Sequence, residues 1–416
     1  MKMRRWLATI AAVAAMAGGA RAGSLTPPGA PGPTMHTLEE LYQKQLQLEA
    51  RLTAQDQEIS RARQEAERAR QENSVILNAL GATLPWQLKT VDSAGFVGYF
   101  ASLAFGPDGQ PAISYGDLTN GDLKFARYNG CTWSTATVDS AGNVGYYTSL
   151  AFGPDGQPAI AYLSASSGDL KFARYNGSTW STATVDSAGD TGFFASLAFG
   201  PDGQPAIAYS DLTNGDLKFA RYNGSTWSTV TVDSAGDTGY FASLAFGPDG
   251  QPAITYCDAT NYDLKFARYN GSTWSTATVD SAGNVGLHTS LAFGPDGQPA
   301  IAYYDSSNGD LKFARYNGST WSTATVGSAG SGGGYTSMAF GPDGQPAISF
   351  YEATNGDLKF ARYNGSTWSI ATVDSAGNVG LYTSLAFGPD GQPAIAYLDD
   401  TNGDLKFARR GLFAPK

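Results

Sequence analysis

The chain has 416 residues, a formal net charge of −10, 51 glycines, 12% aromatic residues and two cysteines. The acidic charge and the lack of a Lys/Arg cluster exclude nucleic acid and anionic membrane surfaces as expected partners. Cys131 and Cys257 stand at different positions of a repeated unit, so they predict no disulfide framework. The glycine-rich, aromatic-rich composition indicates an all-β protein with many turns.

Residues 1–22 are predicted to be a signal peptide. Three basic side chains within residues 2–5 precede an apolar run from Trp6 to Met16, and Ala20 and Ala22 match a signal-peptidase site. A membrane anchor is the alternative, but the run is shorter than the roughly 20 residues that span a bilayer. We therefore expect a secreted protein, extracellular or periplasmic, without membrane insertion.

Residues 23–35 are predicted to be a Pro/Gly linker, and residues 36–82 a coiled-coil oligomerisation helix. Apolar side chains recur at heptad positions a and d from Leu38 to Leu80. Four g/e pairs carry opposite charges: Lys44 with Glu49, Arg51 with Asp56, Glu58 with Arg63, and Glu65 with Arg70. This pattern predicts a parallel homo-oligomer through residues 38–80, either dimer or trimer. A solitary amphipathic helix is the alternative.

A 47-residue repeat occupies residues 84–416. Seven tryptophans mark it: Trp86, Trp133, Trp180, Trp227, Trp274, Trp321 and Trp368. Each unit holds four short runs typical of strands, such as "YTSLAFG", "QPAIAYL", "DLKFARYN" and "WSTATVD", separated by Gly, Pro, Asp and Asn turns. The pattern predicts a seven-bladed β-propeller with four strands in each blade, named A to D from the axis outward.

The two ends of the array are incomplete in complementary ways. The first unit begins with the tryptophan strand 86–92, and the last ends with the strand 404–409. We expect the N-terminal strand to complete the last blade and close the ring, which leaves no open array end.

The turns "GPDGQP" and "NGSTW" carry a resemblance to secreted bacterial repeats grouped with sialidase-like and lectin-like β-propellers. Enzymes of the sialidase type need an arginine cluster and catalytic carboxylates at unique places. Here the propeller arginines, apart from Arg410, recur at one repeat position, and Glu352, the only propeller glutamate, stands where other copies have aspartate. We therefore expect no catalytic activity; a sialidase-like glycoside hydrolase ranks third among the functions considered.

No cofactor is expected. His288 has no second histidine beside it in the propeller, which argues against a metal site. The "D-x-T-N-G-D" connection, as in Asp117–Asp122, offers clustered oxygens to calcium, but an Asx/Asn-Gly turn explains it as well. Calcium binding at this connection is therefore an alternative that the sequence does not specifically indicate.

The copies differ mainly before strand A and after strand B, at connections that emerge on one face of the ring. Drift in surface loops is one explanation, and a binding face is the other. The predicted ligand-binding residues are Tyr99, Phe100, Tyr146, Tyr147, Phe193, Phe194, Tyr240, Phe241, His288, Tyr335, Tyr382, Asp117, Asp211, Asp258, Asp305, Glu352 and Asp399.

Aromatic rings beside carboxylates suit sugars, whose apolar faces stack on rings while their hydroxyls need acceptors. The predicted function is a multivalent binding or adhesion module with a glycan ligand. The alternative is a structural head, or one that binds a cell-surface or extracellular protein.

Overall fold

The computed structural model describes residues 40, 42–55, 57–58, 61, 65, 84–328 and 332–411. The chain divides into two units, Met1–Arg68 and Ala69–Lys416. The predicted signal peptide and linker lie outside the described residues. Within the described part, no helix is long and apolar enough to cross a membrane.

The first unit contributes one helix, whose described residues are 40, 42–55, 57–58, 61 and 65. Its seam side chains Leu48 and Leu52, at heptad positions d and a, are 57% and 58% exposed in the single chain. The helix agrees with the heptad pattern, and its assembly into a coiled coil stays a prediction.

The second unit is a seven-bladed β-propeller, as predicted. Each blade is a four-stranded sheet in which neighbouring strands run antiparallel. Blade 1 contains β2 (Val97–Phe105), β3 (Pro111–Asp117), β4 (Asp122–Tyr128) and β5 (Trp133–Asp139), and blade 2 contains β6 (Val144–Phe152), β7 (Pro158–Ser164), β8 (Asp169–Tyr175) and β9 (Trp180–Asp186). Blade 3 contains β10 (Phe193–Phe199), β11 (Pro205–Asp211), β12 (Asp216–Tyr222) and β13 (Trp227–Asp233). Blade 4 contains β14 (Tyr240–Phe246), β15 (Pro252–Asp258), β16 (Asp263–Tyr269) and β17 (Trp274–Asp280). Blades 5 and 6 contain β18 (Leu287–Phe293), β19 (Pro299–Asp305), β20 (Asp310–Tyr316) and β21 (Trp321–Gly327); β22 (Gly332–Phe340), β23 (Pro346–Glu352), β24 (Asp357–Tyr363) and β25 (Trp368–Asp374).

Blade 7 closes the ring with strands from both ends of the propeller. It contains β26 (Val379–Phe387), β27 (Pro393–Asp399), β28 (Asp404–Arg410) and β1 (Trp86–Asp92). Strand β1 pairs antiparallel with β28, in a register that sets Trp86 opposite Arg410. The predicted closure is therefore confirmed.

The hydrophobic core lies between neighbouring blades. Strand B of each blade is buried along its whole length, apart from partly buried Tyr304 and Tyr351, whereas strand D is exposed in its middle. Trp227 of blade 3 packs edge-on against Phe172 of blade 2, with ring centroids 5.1 Å apart. Around the axis, successive A strands are joined by serine, as where the Leu197 amide donates to Ser149 Oγ at 2.9 Å. Each blade is thus stable only beside its neighbours.

A buried polar cluster, here called the inter-blade clamp, joins strand D of one blade to the next blade. Asp186 Oδ2 accepts hydrogen bonds from Tyr209 OH at 2.6 Å and from Lys218 Nζ at 2.6 Å. Six junctions in the described propeller share this arrangement: Asp92–Tyr115–Lys124, Asp139–Tyr162–Lys171, Asp186–Tyr209–Lys218, Asp233–Tyr256–Lys265, Asp280–Tyr303–Lys312 and Asp374–Tyr397–Lys406.

The junction between blades 5 and 6 lacks this clamp. Gly327 stands in place of the aspartate and Phe350 in place of the tyrosine. Lys359 instead binds Asp357 of its own blade, with Nζ 2.7 Å from Oδ2. The aspartate and tyrosine have been replaced together, which indicates that the three groups act as a unit.

The clamps predict a loss of stability in acid. Burial alone would raise the pKa of each clamp aspartate, but hydrogen bonds from lysine and tyrosine outweigh it, so the pKa lies below the ordinary value. A lowered carboxyl pKa stabilises the fold above the unfolded-chain value of about 3.9, and this contribution disappears as pH falls through the lower folded value. We expect the free energy of unfolding, measured by urea titration, to be level near pH 6 and to fall steeply below pH of about 4. A level profile down to pH of about 2 would contradict this.

Candidate ligand-binding sites

The predicted aromatic residues form a closed ring around the propeller axis. Their members, one from each blade, are Phe100, Tyr147, Phe194, Phe241, His288, Tyr335 and Tyr382, and neighbouring ring centroids lie 4.4–4.7 Å apart. We call this set the axial ring. It lines a shallow cavity of about 210 Å³ on the face that bears the D-to-A and B-to-C connections, here called the rim face.

A backbone irregularity aims these side chains at the axis. Each axial-ring residue has a positive φ, such as 53° for Phe194 and 50° for His288, which side-chain-bearing residues rarely adopt. The pairing register of strand A shifts at the same place, between Phe193 and Ser196, as in a β-bulge. Burial lowers the pKa of His288 to about 4, so this imidazole is neutral at pH 7.

Four other predicted aromatic residues form a second layer behind the axial ring. Tyr99, Tyr146, Phe193 and Tyr240 are half-buried on the rim face. Tyr146 lies 5.4 Å from Phe100, and Tyr240 lies 5.5 Å from Phe194, between ring centroids. The structure therefore brings all the predicted rings of this face together, with much of their surface packed on one another.

The predicted carboxylates, by contrast, lie beneath the rim face. Asp117, Asp211, Asp258, Asp305, Glu352 and Asp399 are only 1–6% exposed. Asp211 Oδ1 accepts hydrogen bonds from the amides of Thr213 and Asn214, and its Oδ2 accepts from Asn214 Nδ2 at 2.9 Å. These carboxylates hold the B-to-C turn in place, so a ligand on the rim face would meet rings before carboxylates.

Larger cavities lie between blades, near the face that bears the "GPDGQP" and "NGSTW" turns, here called the turn face. The cavity between blades 3 and 4 measures about 390 Å³, and its lining includes Phe219, Phe246, Gln251, Tyr269 and Trp274. Equivalent cavities of about 320 and 420 Å³ lie between blades 1 and 2 and between blades 4 and 5. We call them the junction grooves.

Each of these three junction grooves combines aromatic walls with a neutralised arginine. The ring of Tyr269 lies 5.4 Å from that of Trp274. Arg221 stacks over Phe246, with its guanidinium carbon 5.1 Å from the ring centroid. Its Nη2 is 2.5 Å from Asp202 Oδ1. The groove therefore offers apolar surface and hydrogen-bonding groups with no net charge.

The sequence reasoning missed these grooves. Their residues belong to the motifs "ARYNGSTW" and "GPDGQP", which change little between copies, whereas the predicted binding residues were chosen where the copies differ. The side chains of Tyr222 and Trp227 are only half-buried in the folded chain, so part of their surface stays accessible beside the turn. The signal in the sequence that could have indicated these grooves was the constancy of the aromatic residues beside the constant turns. Within the described residues, no group of three or more His, Cys, Asp or Glu side chains could hold a metal ion.

Comparison with known proteins supports the fold. No protein-family model and no curated protein sequence matches the chain. Among solved structures, an ulvan lyase, described as a new family of polysaccharide lyase, is 16% identical, with a TM-score of 0.51 over 74% of this chain and 94% of that one. YCF48 bound to a D1 peptide is 15% identical, with a TM-score of 0.53 over 79% and 95%. A protein of unknown function from Dyadobacter fermentans is 12% identical, with a TM-score of 0.48 over 78% and 97%.

Proposed function

We propose that this chain is a secreted, multivalent carbohydrate-binding module whose sites are the junction grooves. The observation that carries the proposal is the repetition of one groove, with a paired tyrosine and tryptophan, at three blade junctions. An aromatic wall suits the apolar face of a sugar, and the adjacent glutamine and arginine suit its hydroxyls. The ulvan lyase and YCF48 share the fold at low identity; the first acts on a polysaccharide and the second binds a D1 peptide.

Multivalency would explain the repetition of the blades. A single shallow groove binds a sugar weakly, but several linked sites raise the overall avidity by about 10²–10⁴. The predicted coiled coil would add further copies of the propeller. We expect light scattering to show an oligomer for the full chain and a monomer for the Leu48→Asp/Leu52→Asp variant, which also loses avidity for immobilised polysaccharide. A monomeric native chain would contradict the predicted coiled-coil oligomer.

The binding test compares tyrosines on opposite faces of the same ring. A glycan array first identifies a ligand for the full chain. The groove variant then carries Tyr175→Ala, Tyr269→Ala and Tyr316→Ala, and the rim variant carries Tyr99→Ala, Tyr146→Ala and Tyr240→Ala. All six side chains are partly buried, so the two sets of substitutions are matched in burial. We expect each groove change to weaken its site about tenfold, because a stacked ring contributes up to about 1.5 kcal/mol.

The axial ring is the second candidate site. Seven strained backbone positions aim its side chains into one cavity, and strain of this kind clusters at binding sites. Loss of glycan binding in the rim variant alone would favour that site over the grooves. Absence of glycan binding by the native chain would favour the structural or protein-binding alternative.

A further inference from the structure

A fourth groove, at the corresponding place between blades 6 and 7, differs from the three junction grooves described above. Strand β28 ends there in "ARR", where the other C strands end in "ARY". Arg410 therefore stands at the position held by Tyr269 and Tyr316 in the grooves described above. It lines the cavity of about 260 Å³ between blades 6 and 7, together with Phe360, Arg362 and Gln392.

Arg410 takes over the stacking role of the missing tyrosine. Its guanidinium carbon lies 5.4 Å from the ring centroid of Trp86 and 5.8 Å from that of Phe360. In the groove between blades 3 and 4, the corresponding tyrosine and tryptophan rings are 5.4 Å apart. The aromatic wall is thus retained, with a cation added to it.

The added charge is not neutralised within the described residues. Arg362 Nη2 lies 2.5 Å from Asp343 Oδ1, which is the arginine–aspartate pair that every junction groove has. No carboxylate of the described chain lies within ion-pair distance of Arg410, so this groove carries one net positive charge. Burial, followed by the charge of Arg362, lowers the pKa of Arg410, and an arginine tolerates such lowering while staying charged.

Two hydrogen-bond donors at this place also lack partners in the described structure. They are Nε of Arg410 and Nε1 of Trp86, and both atoms are buried. Buried donors are nearly always hydrogen-bonded in folded proteins, so an unpaired donor beside an unpaired cation indicates a site for an anionic acceptor.

We propose that the groove between blades 6 and 7 binds the carboxylate of an acidic saccharide through Arg410. The planar guanidinium matches a carboxylate in a bidentate arrangement, and Phe360 and Phe387, which line the cavity, supply the wall against which the sugar ring packs. The inference rests on the proposed function and adds a ligand class for one groove. The other six junctions have the neutral tyrosine, so selectivity for acid belongs to this junction alone.

The test measures binding of glucuronate, glucose 6-sulfate and glucose to the full chain by ligand-observed NMR. We expect glucuronate to bind at least about tenfold more tightly than glucose, with the advantage reduced by salt. Arg410→Tyr restores the residue of the other repeats, so the fold should tolerate it, and a thermal melt checks this. It should abolish the preference for glucuronate, while the neutral grooves still bind glucose. A second variant, Arg410→Tyr/Tyr316→Arg, should restore the preference at the junction of blades 4 and 5.

The outcomes separate the two proposals. An acid preference that survives Arg410→Tyr, or an equal affinity for glucuronate and glucose in the native chain, overturns this inference while the neutral grooves still account for glucose binding. A preference for glucose 6-sulfate over glucuronate overturns the carboxylate assignment. Binding of glucuronate but not glucose, lost in Arg410→Tyr, supports this site and contradicts sugar binding at the neutral grooves. Absence of any saccharide binding contradicts both.

Discussion

Deletion of residues 86–92 is expected to be the most damaging short truncation of the propeller. Strand β1 is the outermost strand of blade 7, and its removal exposes the backbone edge of β28. It also removes Asp92, the acceptor for Tyr115 and Lys124 of blade 1, and Trp86, which packs 5.2 Å from Phe360 of blade 6. The deletion therefore breaks contacts with three blades.

The expected effect approaches the whole stability of the fold. Lost strand pairing at about 1 kcal/mol per hydrogen bond, together with the loss of the short ion pair of Lys124, exceeds about 5 kcal/mol. A domain has only about 5–15 kcal/mol in total. We expect circular dichroism to show no cooperative melt, and light scattering to show aggregation through the open edge.

The matched control removes a segment outside the ring. Deleting residues 23–33, in the predicted linker, should leave the melting temperature within a degree or two of the native value. Equal melting temperatures for the two deletions would mean that β1 does not close the ring.

Asp186→Ala is expected to be the most destabilising single substitution among the polar residues. Lys218 is only 12% exposed, and Asp186 Oδ2 lies 2.6 Å from its ammonium nitrogen. Removal of the carboxylate leaves the Tyr209 hydroxyl without its acceptor, and leaves the Lys218 ammonium with only its longer contact to Asp211 Oδ2, at 3.7 Å. Breaking one partner of a buried pair costs about 3–5 kcal/mol, which urea unfolding measures directly.

Two controls identify the cause of that loss. Asp190→Ala removes an exposed aspartate near the same junction and should change stability by less than about 0.5 kcal/mol. Asp186→Ala/Lys218→Met removes both charges and should recover most of the loss, because the cost comes from a lysine charge that has lost its short ion pair. A double variant as unstable as Asp186→Ala would show that packing, and not charge, holds the junction.

The chain encodes much of the architecture locally, so the sequence was sufficient to predict it. Short strand-forming runs such as "PAIAY", and turns such as "PDG", define strands within a few positions, and their 47-residue recurrence gives the number of blades. The incomplete ends, Trp86 at one and Arg409 at the other, then allow one closed arrangement. The heptad region indicated a helix on the same local grounds.

The binding surfaces depend on contacts that no local pattern reveals. Asp139 meets Tyr162 and Lys171, which lie 23 and 32 residues further along the chain, because adjacent sheets stack face to face. The predicted rim carboxylates are buried in their own turns, because their oxygens accept hydrogen bonds from the turn amides. The axial ring converges because a bulge with positive φ redirects side chains that alternation would place elsewhere.

The sequence by itself determined the number of blades, the four strands in each and the strand that closes the ring, because these follow from residue periodicity and turn chemistry. The tertiary structure alone decided which constant aromatic residues share a groove, which carboxylates are buried and where Arg410 lies without an acidic partner. Those features arise between blades, where the rotation from one sheet to the next brings distant residues together and water is excluded. Periodicity along the chain carries no information about that rotation.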